Sequence, residues 1–277
     1  DNYVDCLGHD TLWIITKEPT CTEDGWKVKK CSRCEFIEEE AILFAVGHTF
    51  DEGTITKEAT CTESGEKTYT CVNCGEVKTE TIEASSHIYG EFETITEPTD
   101  FETFGTAKMV CPNCDTVLFD NLTAVLVDGG NGETAVVYGY YNYDEAKKCF
   151  DLTYQYKEEN GFLYDGWEYK WDDSVYGYSC IRTAEMAYLY ELGYEDTFHN
   201  RPTGEKPRCG ENLTYKVYSS IDGISIYSAE EAFNDWINSR GHRDNLEDSA
   251  SNTVLAQFTA WIPKYECWGT FWVQNFY

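Results

Sequence analysis

Three polar segments follow one another in the C-terminal half of this chain: FHNRP (198–202), CGENL (209–213) and WINSRGHRDNL (236–246). Two of the five histidines, His199 and His242, lie in them. The last segment is preceded by Ser-Ala-Glu-Glu from Ser228, a capping box that predicts the start of a helix. Polar segments this close in the sequence predict one compact domain that brings them together.

The surrounding sequence predicts helices packed on a small sheet. Apolar side chains recur at helical spacing over residues 144–160 and 172–192, and Gly161 is suited to end the first of these helices. Residues 254–262 and 267–277 have the pattern of two strands joined by a Pro-containing hairpin. The predicted fold class is therefore α+β for this half of the chain.

In this order, the three segments resemble motifs of the CAP superfamily, the cysteine-rich secretory, antigen 5 and pathogenesis-related proteins. The match is best to the bacterial secreted branch, with its His-x-Arg-Pro, Gly-Glu-Asn and Ala-x-x-x-Trp-x-x-Ser-x-Gly-His-Arg-x-Asn series. The resemblance covers about residues 135–277. It implies a C-terminal α-β-α sandwich with a central cleft.

The resemblance also implies which residues line that cleft. His199, Glu211 and His242 match three of the four positions that gather a divalent cation in the animal and plant branch, and the fourth falls on Ser239. Without a fourth protein ligand, a cation in the cleft is expected to be weakly held. Two interpretations stay open: a ligand-binding cleft formed by these four residues, or a buried polar network that fixes the loops to the sheet.

A catalytic role for the cleft is a further alternative. His199 or His242 would then act as a general base on water or on Ser239, as in a hydrolase. The sequence around Ser239 lacks the Gly-x-Ser-x-Gly elbow of such nucleophiles. A non-enzymatic domain is therefore favoured.

The N-terminal half contains an internal repeat. Cys21, Cys31 and Cys34 recur 40 residues later, and Phe101, Cys111 and Cys114 continue the period in a third copy without the first thiol. The recurring second set is Cys61, Cys71 and Cys74. Each copy alternates β-branched and charged residues, which predicts small hairpins with the Cys-x2-Cys pair at the turn. They resemble repeats in surface proteins of anaerobic Gram-positive bacteria, which implies a stalk.

A 40-residue module with few large apolar side chains needs a covalent or metal staple. Zinc is favoured over disulfides, because both thiolates of Cys-x2-Cys can face one ion whereas a disulfide between them would close a small strained ring. Histidines punctuate the copies at His9, His48 and His87. Whether each histidine precedes or follows its thiolates is left open, with preference for following. The predicted zinc ligands are Cys21, Cys31, Cys34, His48, Cys61, Cys71, Cys74 and His87.

The other cysteines are expected to form disulfides. Cys149, Cys180, Cys209 and Cys267 are even in number, so two disulfides with three alternative pairings are predicted. Cys6 has no intrachain partner in this scheme and could join two chains. Thirteen cysteines with two methionines indicate an oxidising compartment, metal ligation or both.

Composition limits the partners. A formal charge of −29 disfavours nucleic acid and anionic membranes, and there is no apolar run of 18 residues that could span a membrane. No signal peptide is visible in the sequence, and the start at Asp1 without an initiator Met predicts a processed or trimmed mature chain.

These observations predict four domains: repeats over 1–48, 49–87 and 88–122, the last of them degenerate, and a CAP-like domain over 123–277. The predicted function is a secreted or cell-surface binding or adhesion protein whose cleft takes a lipid, peptide or glycan. The alternative is a structural subunit that self-assembles through the repeats or Cys6.

Overall fold

The fold was analysed in a computed structural model. It describes residues 8–163, 168–218, 224, 226–248 and 252–277, so Cys6 lies outside the described residues. The chain divides into two compact units, Asp1–His87 and Ile88–Tyr277.

The first unit contains two copies of one antiparallel three-stranded module. The first copy consists of β1 (Thr11–Lys17), β2 (Gly25–Cys31) and β3 (Ile37–Leu43), and the second of β4 (Thr54–Lys57), β5 (Gly65–Thr70) and β6 (Val77–Ile82). In both copies the central strand pairs with its two neighbours along the chain. The predicted hairpin repeats are thus confirmed for these two copies.

The repeated glycine at the start of each central strand has a steric cause. A Cβ built on Gly25 would lie 2.4 Å from the carbonyl oxygen of Lys17, and one on Gly65 would lie 2.6 Å from that of Lys57. Real Cβ atoms do not approach backbone this closely. Glycine is therefore required for the preceding strand to turn back across the central one.

The first unit has no apolar core of its own. Over residues 8–87, which are all described, the buried positions are Cys21, Cys31, Cys61, Cys71 and two glycines. Apolar side chains along β1, among them Trp13 and Ile15, are exposed. Burial in these modules is thus centred on cysteine sulfur.

The second unit is a mixed sheet with helices. It comprises β7 (Phe92–Thr96), β8 (Phe104–Val110), β9 (Val117–Gly130), β10 (Glu133–Tyr141), β11 (Lys170–Trp171), β12 (Gly210–Tyr218), β13 (Asn252–Ile262) and β14 (Cys267–Phe276). The order of the strands is β12-β14-β13-β10-β9-β8-β7, with β11 pairing in parallel with β13. The edge strand β12 carries the CGENL segment. The chain as a whole is therefore α+β, as predicted.

Strands of the third repeat belong to this larger sheet. β7, β8 and β9 pair as the repeat strands do, and β9 continues to pair with β10. Residue 122 lies inside β9. The repeat and the sheet of the second unit thus share one continuous strand.

Helices cover both faces of the sheet. They are α1 (Tyr143–Glu159), α2 (Tyr176–Leu192), α3 (Ala229–Asn238) and α4 (Arg240–Glu247). Alternate residues of a strand point to opposite faces: Phe258 of β13 packs in the cluster that includes α2, whereas Leu255 packs with residues of α1 and α3. The predicted helices are confirmed, including the Ser228–Glu231 capping box.

The disulfides predicted for this unit are absent. Cys149, Cys180, Cys209 and Cys267 are free thiols. Cys149 on α1 and Cys267 on β14 pack in separate core clusters, and burial raises the pKa of Cys180 to about 12. Cys149, Cys180 and Cys267 are buried and behave as small core side chains, whereas Cys209 is partly buried.

None of the helices in the described ranges is both long and apolar enough to span a bilayer.

Candidate metal centres and a histidine cleft

The geometry with the clearest chemical meaning lies in the first unit. One nitrogen of His48 and the sulfurs of Cys21, Cys71 and Cys74 all lie within 4.8 Å of one another. The sulfurs of Cys21 and Cys71 are 3.8 Å apart, and the sulfur of Cys74 is 3.3 Å from Nδ1 of His48. Three sulfurs and one imidazole are a complete Cys3His set.

The sulfur separation distinguishes a metal from a disulfide. A disulfide joins its sulfurs at about 2.05 Å. Two thiolates bound to one tetrahedral zinc at about 2.3 Å each are about 3.8 Å apart. The observed distance between Cys21 and Cys71 has the second value, so this pair is spaced for a shared ion and the group is compatible with zinc.

The surroundings of Cys71 and Cys21 shift the pKa values of these two thiols in opposite directions. Burial opposes ionisation of Cys71, but hydrogen bonds from the amides of Asn73 and Cys74 and from the His48 side chain outweigh it, so the pKa of Cys71 falls to about 6. Cys21 has the opposite tendency, because burial and its neighbouring thiols raise its pKa to about 12. A bound cation would reverse that tendency, since metals bind the thiolate.

The His48 ring is oriented by a carboxylate. Its Nε2 lies 3.2 Å from Oε2 of Glu76, which leaves Nδ1 directed at the sulfurs. Metal-binding histidines usually donate their second ring N–H to such a partner, which fixes the tautomer. The sequence interpretation did not identify Glu76, although its place two residues after the Cys-x2-Cys pair was a usable signal.

The ligands come from two successive copies. Cys21 lies in the first copy, and Cys71 and Cys74 lie in the second. His48, which the predicted bounds place at the end of the first repeat, is held against the second copy, because the amide of Val72 donates to the carbonyl of the next residue, Thr49, at 2.9 Å. The histidine therefore precedes its Cys-x2-Cys pair, which is the alternative that the sequence analysis did not prefer. The physical reason is that Phe50 pairs with Cys71 in an isolated β-bridge, which places His48 beside the Cys-x2-Cys turn.

A second group in the first unit has three members. His9, Cys31 and Cys34 lie together, with Nδ1 of His9 3.4 Å from the sulfur of Cys34. Hydrogen bonds from the Arg33 amide and the His9 side chain lower the pKa of Cys31 to about 6. The remaining predicted ligands, Cys61 and His87, are also in the first unit, and Cys61 is the sequence counterpart of Cys21.

In the second unit, the predicted cleft residues gather at the edge strand β12. Nδ1 of His199 is 3.3 Å from Oε1 of Glu211. His242, at the start of α4, is half-buried, and its pKa is lowered by burial and by the nearby His199. Ser239 lies at the junction of α3 and α4, where its backbone ends one helix and begins the next.

Glu211 is part of a buried chain of charges. Both its oxygens accept from the guanidinium of Arg182, at 3.1 and 2.9 Å. Arg182 also contacts Glu185, which accepts from Arg201 at 2.6 and 2.9 Å. Burial opposes ionisation of Glu211, but the hydrogen bonds from His199 and Arg182 keep its pKa below the ordinary value.

This chain of charges answers part of the question that the sequence left open. The carboxylate of Glu211 is already engaged by a buried guanidinium, and within the described ranges no metal-like grouping includes His199, Glu211 or His242. Glu211 is therefore not a free carboxylate that could bind a cation in this arrangement. The sequence analysis did not identify Arg182 and Glu185. The usable signal was the presence of two charged residues on the apolar face of the predicted helix that became α2.

Asn212 fixes the segment that carries His242. Its side-chain nitrogen donates to the carbonyl of His242 at 3.0 Å, and its oxygen accepts from Asn245 at 2.8 Å. The contact is to the backbone of His242, so the imidazole is not needed for it. Trp236, the motif tryptophan, is fully buried beside Trp272 and belongs to the core.

Two cavities lie in the described part of the second unit, and their linings do not include His199, Glu211, Ser239 or His242. One of about 420 Å³ lies between β12 and α3 and is lined by Tyr215, Lys216, Tyr227, Glu231, Asn234 and Asp235. Another, of about 700 Å³, has Arg201 and Arg208 together with Asp100, Glu102 and Asp128 in its wall. Both have the size of sites for small molecules or short peptides.

Comparisons of the chain with models of protein families, with curated proteins and with solved structures find no match.

Proposed function

We propose that this is a secreted or cell-surface protein in which zinc-stapled hairpin modules carry a CAP-like domain that binds an extracellular ligand without catalysis. The observation that carries the proposal is the Cys3His grouping of Cys21, His48, Cys71 and Cys74. A folded chain whose modules lack an apolar core needs such a staple. Zinc supplies it by binding and folding together.

The position of Cys21 gives the staple a mechanical role. Because Cys21 lies in the first module and Cys71 and Cys74 lie in the second, a single ion joins the two modules. The backbone reinforces the joint, since the amides of Val46 and Gly47 donate to the carbonyls of Thr20 and Cys21 at 3.1 and 3.0 Å. Such joints make a row of small modules act as a spacer.

Support for the CAP-like domain comes from the motif order together with the position of the motif residues. His199 and Glu211 are in contact, His242 is near them, and helices lie on both faces of the sheet. The lining of the cavity between β12 and α3 combines two tyrosines with charged groups. This mixture suits a ligand with both apolar and polar parts.

The test of the zinc proposal is a comparison of metal content. Elemental mass spectrometry of the purified full chain is expected to find one zinc fewer per chain in Cys74→Ser than in the wild type, because two protein thiolates and one imidazole hold zinc much more weakly. Cys209→Ser removes a thiol from the second unit and is the matched control. Equal zinc content in the wild type and Cys74→Ser would refute the proposal.

A further inference from the structure

The two metal-like groups of the first unit differ by one ligand. The group at His48, Cys71 and Cys74 is completed by Cys21, whereas the group at His9, Cys31 and Cys34 has three members in the described part of the chain. Three protein ligands leave one position of a tetrahedral ion open. The question is what fills that position.

The two half-sites are otherwise built alike. The amides of Cys31 and Cys71 donate to the carbonyls of Phe36 and Glu76, at 2.9 and 2.7 Å. The amide of the next residue donates to the carbonyl of the residue after the histidine, from Ser32 to Asp10 in the first copy and from Val72 to Thr49 in the second, both at 2.9 Å. The distance from the histidine nitrogen to the second sulfur is 3.4 Å in one and 3.3 Å in the other. A ligand that completes one should fit the other.

Cys21, the fourth ligand of the group at His48, lies on a loop that is ordered by its own hydrogen bonds. In Thr20–Glu23, the hydroxyl oxygen of Thr20 accepts from the amides of Thr22 and Glu23 at 3.3 and 2.9 Å. This loop covers the approach to its histidine, because Gly47 donates to the carbonyl of Cys21. Gly47 and His48 are accordingly half-buried, whereas their counterparts Gly8 and His9 are exposed.

The uncovered site is also bordered by apolar surface. Phe36, 46% exposed, stacks on the His9 ring with centroids 4.0 Å apart, in the place that Glu76 takes in the second copy. Strand β1, which begins two residues after His9, exposes Leu12, Trp13, Ile14 and Ile15. The corresponding strand β4 is Thr-Ile-Thr-Lys. Contiguous exposed apolar side chains of this kind mark a docking surface.

We propose that the zinc site at His9, Cys31 and Cys34 takes its fourth ligand from a partner module that presents a Thr-Cys-Thr-Glu loop, in the way that the second module takes Cys21 from the first. The inference rests on the proposed zinc binding. The partner is a protein of the same repeat type, recognised by one thiolate and by the apolar surface around His9. The site thus joins two modules, of the same chain or of different chains, in one direction. One module contributes the histidine and the Cys-x2-Cys pair, and the other contributes the Thr-Cys-Thr-Glu loop.

The test uses a nine-residue probe with the sequence of residues 18–26, EPTCTEDGW, whose loop hydrogen bonds are local. Binding of the labelled peptide to the zinc-loaded full chain is measured by fluorescence anisotropy in the presence of a phosphine reductant. The peptide is expected to bind the wild type. Replacing its Cys by Ser, or using the Cys34→Ser chain, should weaken binding by more than about tenfold, the lower end of the loss caused by removing even an outer-shell partner of a metal site. Cys209→Ser, which removes a thiol from the second unit, should retain binding.

Three results would overturn the inference. They are no binding to the wild type, binding that does not depend on the peptide thiol, and binding that appears only in Cys6→Ser, which would show that Cys6 occupies the position. Zinc content separates these failures from failure of the proposed function. If Cys74→Ser lacks one zinc and the peptide does not bind, the modules bind zinc and only the joint is refuted.

Discussion

Between residues 8 and 87 the buried side chains are four cysteines, whereas in the second unit Trp236, Trp268 and Trp272 are fully buried among aliphatic residues. The first unit therefore gains little from removing apolar surface from water, and we expect metal binding to offset the entropy cost of ordering it. The second unit is stabilised in the usual way, by the burial of apolar side chains. Two units of one chain are thus expected to respond differently to the same perturbation.

Removal of the metal should give the largest difference. Structural zinc contributes roughly 10–16 kcal/mol to small metal-binding modules. Excess chelator, or Cys71→Ser, is therefore expected to abolish amide protection in β2 and β5 while α2 and β13 keep theirs. Hydrogen exchange read by mass spectrometry measures both units in one sample.

The control for this experiment is Cys209→Ser, which should leave the first unit protected. If β5 stays protected in chelator, the modules are stabilised by something other than metal. The contrast between the two units would then fail.

The next largest effect concerns the buried charges of the second unit. Arg182 is fully buried between Glu185 and Glu211. Arg182→Met removes the cation that these two carboxylates share, so Glu211 is left with His199 alone, while Glu185 keeps Arg201. Breaking a buried ion pair in this way costs about 3–5 kcal/mol. We expect the second unit to melt about 10 °C lower or more, as followed by near-ultraviolet circular dichroism of its tryptophans.

Arg240→Met is the matched control, because Arg240 is 89% exposed and its pairing with Asp244 is 3.9 Å long. It should change the melting temperature little. An equal loss in both variants would mean that the buried position of Arg182 does not matter.

A smaller effect is expected at the carboxylate behind His48. Glu76→Gln keeps the side-chain shape but removes the charge that orients the ring. Loss of such a partner typically weakens metal binding about 10–100-fold. Competition with a chromophoric zinc chelator measures this, and Glu66→Gln, on the neighbouring strand β5, provides a control. Unchanged affinity would show that the backbone alone positions His48.

The two units also differ in how much of their structure could be predicted from the sequence. The repeat spacing predicted six residues that fall in the metal-like groups of the first unit, namely Cys21, Cys31, Cys34, His48, Cys71 and Cys74, but it left out His9. It also could not show that Cys21 groups with residues of the next module, because the period of a repeat does not say which loops meet. In the second unit the motif order predicted the contact between His199 and Glu211. It did not predict Arg182, because a buried arginine on an apolar helix face depends on partners contributed by distant segments.

The disulfides show the same limit. Four cysteines in one domain are even in number, yet Cys149 and Cys180 lie on helices that pack on opposite faces of the sheet. The number of cysteines does not show on which face of the sheet each one lies. The two faces can be assigned only after the strands have been placed in the sheet, because alternate residues of each strand point to opposite faces.

The smallest expected effect is the pH dependence at His242. Burial and the neighbouring His199 lower its pKa, with Asp235 opposing, so the folded state binds this proton less readily than the unfolded chain. Stability contributed by neutral His242 is therefore fully present above the ordinary pKa of 6.5 and is lost as pH falls below it. Glu211 acts at lower pH, because its pKa is held below the ordinary 4.5.

The two groups can be separated by the difference between wild type and His242→Gln. Between pH 7.5 and 5.5 the melting temperature of the second unit should fall in the wild type and fall less in the variant, while at pH 7.5 the two should melt within a few degrees of each other. A large loss at pH 7.5 would mean that the imidazole itself holds the loops together. Because Asn212 bonds to the backbone carbonyl of His242, we expect instead that the ring is dispensable for folding and is kept at the edge of β12 for contact with a ligand.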